Sequence, residues 1–111
     1  MAAMYSAGRG TLQDFAEAAR WWRSAAEQGH AGAQFNLGWS LATGRGVPQN
    51  FVEAYMWLSL AAARLPPGQA RELAVTERDA VGVRMTPAQI GEAQRLVRER
   101  DAAHPASAAS R

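Results

Sequence analysis

The feature that most constrains the fold of this chain is an internal repeat with a period of 36 residues. When the sequence is shifted by 36, residues 8–26 and residues 44–62 are identical at ten of nineteen positions. The matches include Trp21 with Trp57, Phe15 with Phe51 and two glycine pairs, which rarely coincide by chance. Repeats of this length are single supersecondary units that bury their apolar faces by stacking on their neighbours. The period therefore predicts a stacked repeat array.

The second copy of the repeat predicts two helices joined by a glycine-rich turn. Ala33, Leu37 and Leu41 recur at helical spacing, so they predict the buried stripe of the first helix. Gly44 follows this stripe and can take the left-handed conformation that ends a helix. Gly46 permits a second sharp turn, which completes a helix–turn–helix unit.

The second helix of the unit is expected to begin after Asn50. Asn50 is a favoured N-cap, and Glu53 three residues later completes a capping box. In the first copy, Asp14 and Glu17 take these places. The apolar face of this helix is predicted to comprise Phe51, Ala54, Trp57, Leu58, Ala61 and Ala62, and in the first copy Phe15, Ala18, Trp21, Trp22, Ala25 and Ala26.

Two further helices are predicted after the break at residues 66–68, where the sequence is Pro-Pro-Gly. The first runs over residues 69–83, and its inward residues are expected to be Ala70, Leu73, Ala80 and Val81. The second follows Thr86 as N-cap, with Pro87 at its first position and Gln89 completing the box.

The last of these helices is also predicted to be amphipathic. Met85 before the cap is positioned to staple Ile90. The buried stripe is expected to consist of Ile90, Ala93 and Val97, with Leu96 beside it. The side chains predicted to point to water are Arg95, Arg98, Glu99, Arg100 and Asp101.

Five motifs carry a resemblance to a known family: AAEQGH (25–30), AQFNLG (33–38), GRGVPQN (44–50), AYMW (54–57) and LAA (60–62). They resemble the Sel-one-like repeat (SLR) family of α/α solenoids. The segment RMTPAQIGEAQRLVRER (84–100) looks like the closing segment of bacterial members, although Arg100 stands near the place where that segment often has Trp. Leu41 replaces the usual aromatic after Leu-Gly, and Thr11-Leu12 stand where the second copy has Val47-Pro48.

The resemblance implies an all-α fold, a tetratricopeptide-like right-handed superhelix. It predicts a truncated first repeat over 1–30, a complete repeat over 31–65, a capping helix pair over 66–102 and a disordered tail over 103–111. Shifting the second unit back by 36 places Met1 on Leu37, inside the first helix. Either the chain is a fragment of a longer bacterial repeat protein, or the partial helix is a genuine N-terminal edge.

Composition excludes several chemistries. The chain contains no cysteine, so disulfides, thiolate zinc sites, iron–sulfur clusters and a cysteine nucleophile are excluded. The formal net charge is only +2, and all twelve basic residues are arginine. No apolar run is long enough to span a membrane, and the first ten residues do not form a signal peptide. Because the first unit looks truncated, both a cytoplasmic and a periplasmic or envelope location stay open.

No catalytic, metal or cofactor site is predicted. His30 lies in a repeat turn, and no other ligands are spaced with it for a metal. The turn GRGVPQN at 44–50 has neither a preceding strand nor a following Lys-Ser/Thr, so it predicts a helix end rather than a phosphate loop. No serine lies in a nucleophile-elbow context. We therefore expect no cofactor and no small-molecule substrate.

The candidate partner-binding residues lie on the first helix of the second unit. Phe35 and Trp39 are one turn apart, opposite the buried stripe, with Asn36 and Thr43 beside them. The resemblance implies that first helices line the concave surface, where exposed aromatics are common anchors. The alternative is that these side chains pack against the first helix of a neighbouring unit.

The resemblance implies a non-enzymatic adaptor or scaffold that binds another protein. One alternative is an enzyme of the β-lactam-hydrolysing kind linked to cysteine-rich relatives, although this chain lacks their cysteines. Another is a weak nucleic-acid binder that uses Arg95, Arg98 and Arg100. Glu92, Glu99 and their neighbours interleave these arginines, which favours a solvated, salt-bridged helix face instead.

Overall fold

The computed structural model describes residues 12–103. The partial helix predicted before residue 12 lies outside these residues. So does the predicted tail, except for Ala103, which is the last residue of the final helix. Within the described range the chain is helical and contains no strand, as predicted. The helices are α1 (Leu12–Glu27), α2 (Ala31–Thr43), α3 (Phe51–Arg64), α4 (Gln69–Val83) and α5 (Pro87–Ala103).

Helix α3 is the centre of the packing. Helix α2 lies between α1 and α3, and both α4 and α5 pack against α3. Helices α4 and α5 make few contacts with each other, so they do not form the close antiparallel pair that consecutive helices usually form. Instead, α5 turns back along α3 towards the end of α1, where Arg100 pairs with Glu27. The core therefore runs from α1 through α2 and α3 to the two last helices.

The predicted buried stripe of α2 is confirmed. Ala33, Leu37 and Leu41 are all buried between α1 and α3. Gly38 shares this side of α2, and a Cβ placed there would lie 2.7 Å from Leu58 Cγ. The absence of a side chain at Gly38 therefore lets α2 and α3 approach closely, in the manner of small residues at helix crossings.

The glycine-rich turn joins the two repeats as well as the two helices. Gly44 ends α2 with φ 75°, and its N–H donates to the Ser40 carbonyl, as predicted. Gly46 has φ 82°, and a Cβ there would lie 2.3 Å from the Phe15 carbonyl oxygen. The turn thus packs directly on the backbone of α1, which only glycine at this position allows.

The helix caps differ from the predictions in two places. Asn50 caps α3 by accepting from the Glu53 N–H at 3.0 Å, as predicted. The reciprocal half of that box is not formed, because the Asn50 N–H donates to the Leu41 carbonyl at 2.9 Å. The box at α5 is complete, with Thr86 and Gln89 bonded in both directions. Asp14 is not an N-cap, since the chain is already helical at Leu12.

The predicted inward face of α4 is wrong for three of its four residues. Ala70, Leu73 and Ala80 are exposed, whereas Ala74 and Val81 are buried. Apolar residues surround much of this helix, so its sequence does not fix which side faces the core. Contact with the small residues at the end of α3 selects the side that carries Ala74.

The apolar stripe of α5 lies towards the core, as predicted. Ala93 is fully buried, and Ile90, Leu96 and Val97 pack against the core. Arg100, however, does not point freely to water. Its guanidinium carbon lies 4.6 Å from the centre of the Trp57 ring, and its Nη1 donates to Glu27 Oε1 at 2.6 Å. An arginine can cover apolar surface with its stem while its head stays charged.

Candidate functional site

The predicted partner-binding residues lie together on one side of α2. Phe35, Asn36 and Trp39 are half-buried, and Thr43 is exposed. Phe35 packs against the main core and also against the small cluster formed by the end of α3 and Ala74 of α4. Part of this side is therefore used for packing within the chain, while the rest is accessible to a partner.

Trp39 is held in place by two neighbours. Its ring lies 6.3 Å from that of Phe15 on α1, with an angle of 47° between the planes. The guanidinium carbon of Arg45 lies 5.5 Å from the centres of both rings. A cation shared by two aromatic rings fixes their orientation through cation–π attraction. The half-buried indole of Trp39 is therefore ordered rather than free to rotate.

Both ends of α2 are fixed by local hydrogen bonds. At the first turn, His30 Nδ1 accepts from the Ala33 N–H at 3.1 Å, so His30 is an N-cap. This agrees with its predicted place as a turn residue. At the last turn, Thr43 Oγ1 donates to the Trp39 carbonyl at 2.9 Å. The turn after α2 is a helix end, as the glycine pattern predicts, and the structure adds that it packs tightly against α1.

The first repeat presents a second surface that the sequence did not single out. Trp21 is 71% exposed, although its equivalent in the second repeat, Trp57, is 1% exposed. The predicted inward face of α1 is correct for Phe15, Ala18 and Trp22 but wrong for Trp21. Beside Trp21 is an open depression of about 440 Å³ that extends to His30. The sequence does contain a signal for this surface. Met56 and Leu60 on α3 are replaced by the polar Arg20 and Ser24 at the equivalent positions of α1.

The arginines of α5 are mostly engaged with other side chains. Arg95 donates to Glu92 at 2.6 Å and also bonds to Glu99. The hydrogen bond to Glu92, followed by the charges of Glu92 and Glu99, raises the pKa of Arg95 above its ordinary value. Arg100 is engaged with Trp57 and Glu27, so the helix does not present a row of free cations for phosphate contacts.

Between residues 12 and 103 no three His, Asp or Glu side chains are grouped in a way that could hold a metal ion. The partly open cavity where α1, α2, α3 and α5 meet, lined by Trp57, Gln34 and Arg64 among others, has a volume of about 40 Å³. This is far below the several hundred Å³ typical of ligand pockets. None of the five described helices is long and apolar enough to cross a membrane.

Comparison with known proteins identifies the family. A family model of the Sel1 repeat matches residues 1–30 and again residues 31–64, which together are more than half of the chain. Comparison with curated proteins and with solved structures gives no significant match in either set. Sel1 repeats are helical solenoid repeats that generally mediate protein–protein interaction, and the family is typically of a non-catalytic scaffold type. The chain therefore belongs to the Sel1 repeat family, the Sel-one-like family that its sequence resembles.

Proposed function

We propose that this chain is a non-enzymatic adaptor or scaffold module that binds another protein through the α2 surface, which we define as Phe35, Asn36, Trp39 and Thr43. The proposal depends on one observation, which is that the side chain of Trp39 is both held by its neighbours and partly accessible. Its indole is half-buried and ordered by Phe15 and Arg45, yet part of it stays accessible. Ordered aromatic side chains are common binding anchors because little conformational entropy is lost when they are covered.

The chemistry around Trp39 suits a protein partner. Asn36 supplies both a hydrogen-bond donor and an acceptor beside the two aromatic residues. The hydroxyl proton of Thr43 is used within the helix, so its oxygen is left as an acceptor for a partner. An aromatic centre with a polar edge is the usual composition of a protein-binding patch. We further propose that α4 and α5 close the stack by covering two different sides of α3.

The test is site-specific photocrosslinking in cells that produce the full chain. A photoreactive amino acid at Asn36 or at Thr43 should crosslink to one and the same protein. The matched control places it at Val83, which is exposed on α4 and outside the α2 surface. Crosslinks that are equal at all three positions, or absent at residues 36 and 43, would contradict the proposal.

The partner identified in this way is then purified and titrated. Trp39→Ala should weaken its affinity about 30-fold or more, as for a central aromatic anchor. Because Trp39→Ala also removes the contact with Phe15, a second variant is needed. Thr43→Arg adds bulk at an exposed position and leaves the core unchanged. If both variants bind normally while Trp39→Ala only lowers the fold stability, Trp39 serves packing and the proposed surface is wrong.

A further inference from the structure

We propose that the Trp21 face, which consists of Glu17, Trp21 and Ser24 on α1 and Gln28 directly after it, is a second docking surface. We infer that its occupant is an amphipathic α-helix of another protein that places an arginine on the Trp21 ring. The four residues follow one another at helical spacing and are all exposed. This face lies on a different helix from the α2 surface, so the inference does not depend on the proposed function.

The molecule already contains an arginine–tryptophan contact of this kind at the equivalent place in the second repeat. Trp57 of α3 corresponds to Trp21, and it is covered by α5. Arg100 of α5 stacks on Trp57 at 4.6 Å. Two turns earlier on the same side of α5, Ala93 is fully buried and allows a close approach. A helix with a small residue and an arginine seven positions later therefore fits a tryptophan in this repeat position.

Trp21 is surrounded by polar residues, unlike Trp57. Met56 and Leu60, which are buried beside Trp57, are replaced in the first repeat by Arg20 and Ser24. An apolar partner surface would bury the charge of Arg20 without compensation, at a considerable cost in free energy. A helix with one central contact and polar flanks avoids this cost. Central aromatic anchors with polar rims are typical of reversible protein interfaces.

The Trp21 face also carries a negative charge that complements an arginine. Glu17 lies one turn before Trp21 on the same face, so its carboxylate can pair with a cation that stacks on the indole. Within the chain, Arg100 has the same two kinds of partner, an indole and the carboxylate of Glu27. Arginine suits such a site better than lysine, because its planar guanidinium stacks and bonds at the same time. The depression beside Trp21 gives room for the neighbouring side chains of the partner helix.

The experiment uses a labelled, acetylated and amidated peptide with the sequence of residues 87–103 as the probe. It is titrated by fluorescence anisotropy with the full 111-residue chain. We expect saturable binding that Trp21→Ala weakens about 30-fold or more. The same peptide with Arg100→Ala should bind about 3-fold more weakly, the size of an exposed cation–π contact. Glu17→Gln in the chain should weaken the unmodified peptide and reduce its salt dependence.

The controls separate this site from others. Val83→Ala removes an exposed apolar side chain on α4 and should leave peptide binding unchanged. Trp21→Ala should keep the circular dichroism spectrum of the wild-type chain, since Trp21 is exposed. Equal binding by Trp21→Ala and the wild-type chain would overturn the inference, because the peptide would then occupy another site such as Trp57. Absence of binding to the wild-type chain would also overturn it.

A different occupant would be detected by sedimentation. If the wild-type chain self-associates at micromolar concentration and Trp21→Ala abolishes this association, the Trp21 face binds a second copy and the arginine-helix partner is wrong. A monomeric wild-type chain that binds the peptide through Trp21 supports the inference as stated. The α2 surface is unchanged in every variant used here, so failure of this inference leaves the proposed function to its own test.

Discussion

The second helices of the two repeats carry the same tryptophan in different surroundings. Trp21 of α1 is mostly exposed, whereas Trp57 of α3 is almost completely buried. Some neighbours are shared, since the glutamate one turn before and the alanines one turn after are identical in the two helices. The difference in burial arises from α5, which packs along α3 and reaches α1 at its last residue, Glu27. In a stacked array, the burial of a repeated residue thus depends on the next element as much as on the repeat itself.

The residues around Trp21 on α1 are polar, as suits an exposed surface, but Trp21 itself is not. Arg20 and Ser24 are polar where α3 has buried Met56 and Leu60. Trp21 itself is still apolar although 71% of it is exposed. The retained indole is therefore the feature of α1 that packing within residues 12–103 leaves unexplained, and it motivates the docking proposal.

The largest expected effect separates the two tryptophans directly. Trp57→Ala should lower the free energy of unfolding by about 3–5 kcal/mol, because it leaves a cavity under α5. Trp21→Ala should change it by less than about 0.5 kcal/mol, as expected for an exposed side chain. Urea denaturation followed by circular dichroism measures both. Similar losses for the two variants would mean that Trp21 is also packed, and the comparison would fail.

The next prediction concerns the turn that joins the repeats. Gly46→Ala should destabilise the chain by about 2–4 kcal/mol, because it combines a positive φ with a clash against the Phe15 carbonyl. Gly91→Ala is the matched control, and its effect on stability should have the opposite sign. Gly91 lies inside α5, and no atom would be within 4 Å of an added Cβ. This control should stabilise the chain by about 0.5–1 kcal/mol, so equal effects of the two substitutions on the thermal midpoint would refute the close approach of the turn.

A smaller effect tests how α5 covers α3. Arg100→Ala should lower the free energy of unfolding by about 1 kcal/mol, because it removes the stack on Trp57 and a partly screened ion pair. A double-mutant cycle with Glu27→Gln measures the ion pair alone. Arg98→Ala changes an exposed arginine of the same helix and should have little effect. If Arg98→Ala costs as much as Arg100→Ala, the contact with Trp57 does not contribute.

The smallest prediction compares the two capping boxes. Gln89→Ala should destabilise the chain by about 0.5 kcal/mol, since Gln89 accepts from the Thr86 N–H at 2.9 Å. Glu53→Ala should cost less, because the Asn50 N–H already donates to Leu41 and Glu53 makes only a 3.7 Å pair with Arg23. Chemical denaturation in parallel measures the difference, and the reverse order would contradict the observed hydrogen bonds.

Much of the fold could be predicted because it is encoded locally. The caps and the proline at position 87 placed the start of α5, and Gly44 placed the end of α2. The stripe of Ala33, Leu37 and Leu41 predicted the buried side of α2 correctly, although Phe35 and Trp39 make the opposite side partly apolar as well. The side of α4 that faces the core could not be predicted, because contact with α3 decides between several apolar sides.

The candidate site was less predictable for the same reason. Spacing placed Phe35 and Trp39 on one side of α2, but the degree of their burial depends on Phe15, Arg45 and the end of α3. The exposure of Trp21 and the stacking of Arg100 both follow from the path of α5, which packs on α3 instead of α4. No local sequence pattern specifies whether α5 packs on α3 or on α4, because both surfaces are distant in sequence from most of α5.

The return of α5 along α3 also has a consequence for synthesis on the ribosome. Trp57 and Leu60 receive their cover from residues made some forty positions later. At about 5–20 residues per second, translation leaves this apolar surface open for several seconds before α5 emerges. During that interval the indoles of both Trp21 and Trp57 are exposed on the nascent chain, although α5 later covers Trp57. Chaperones that bind exposed apolar surface can therefore act on the chain before α5 packs.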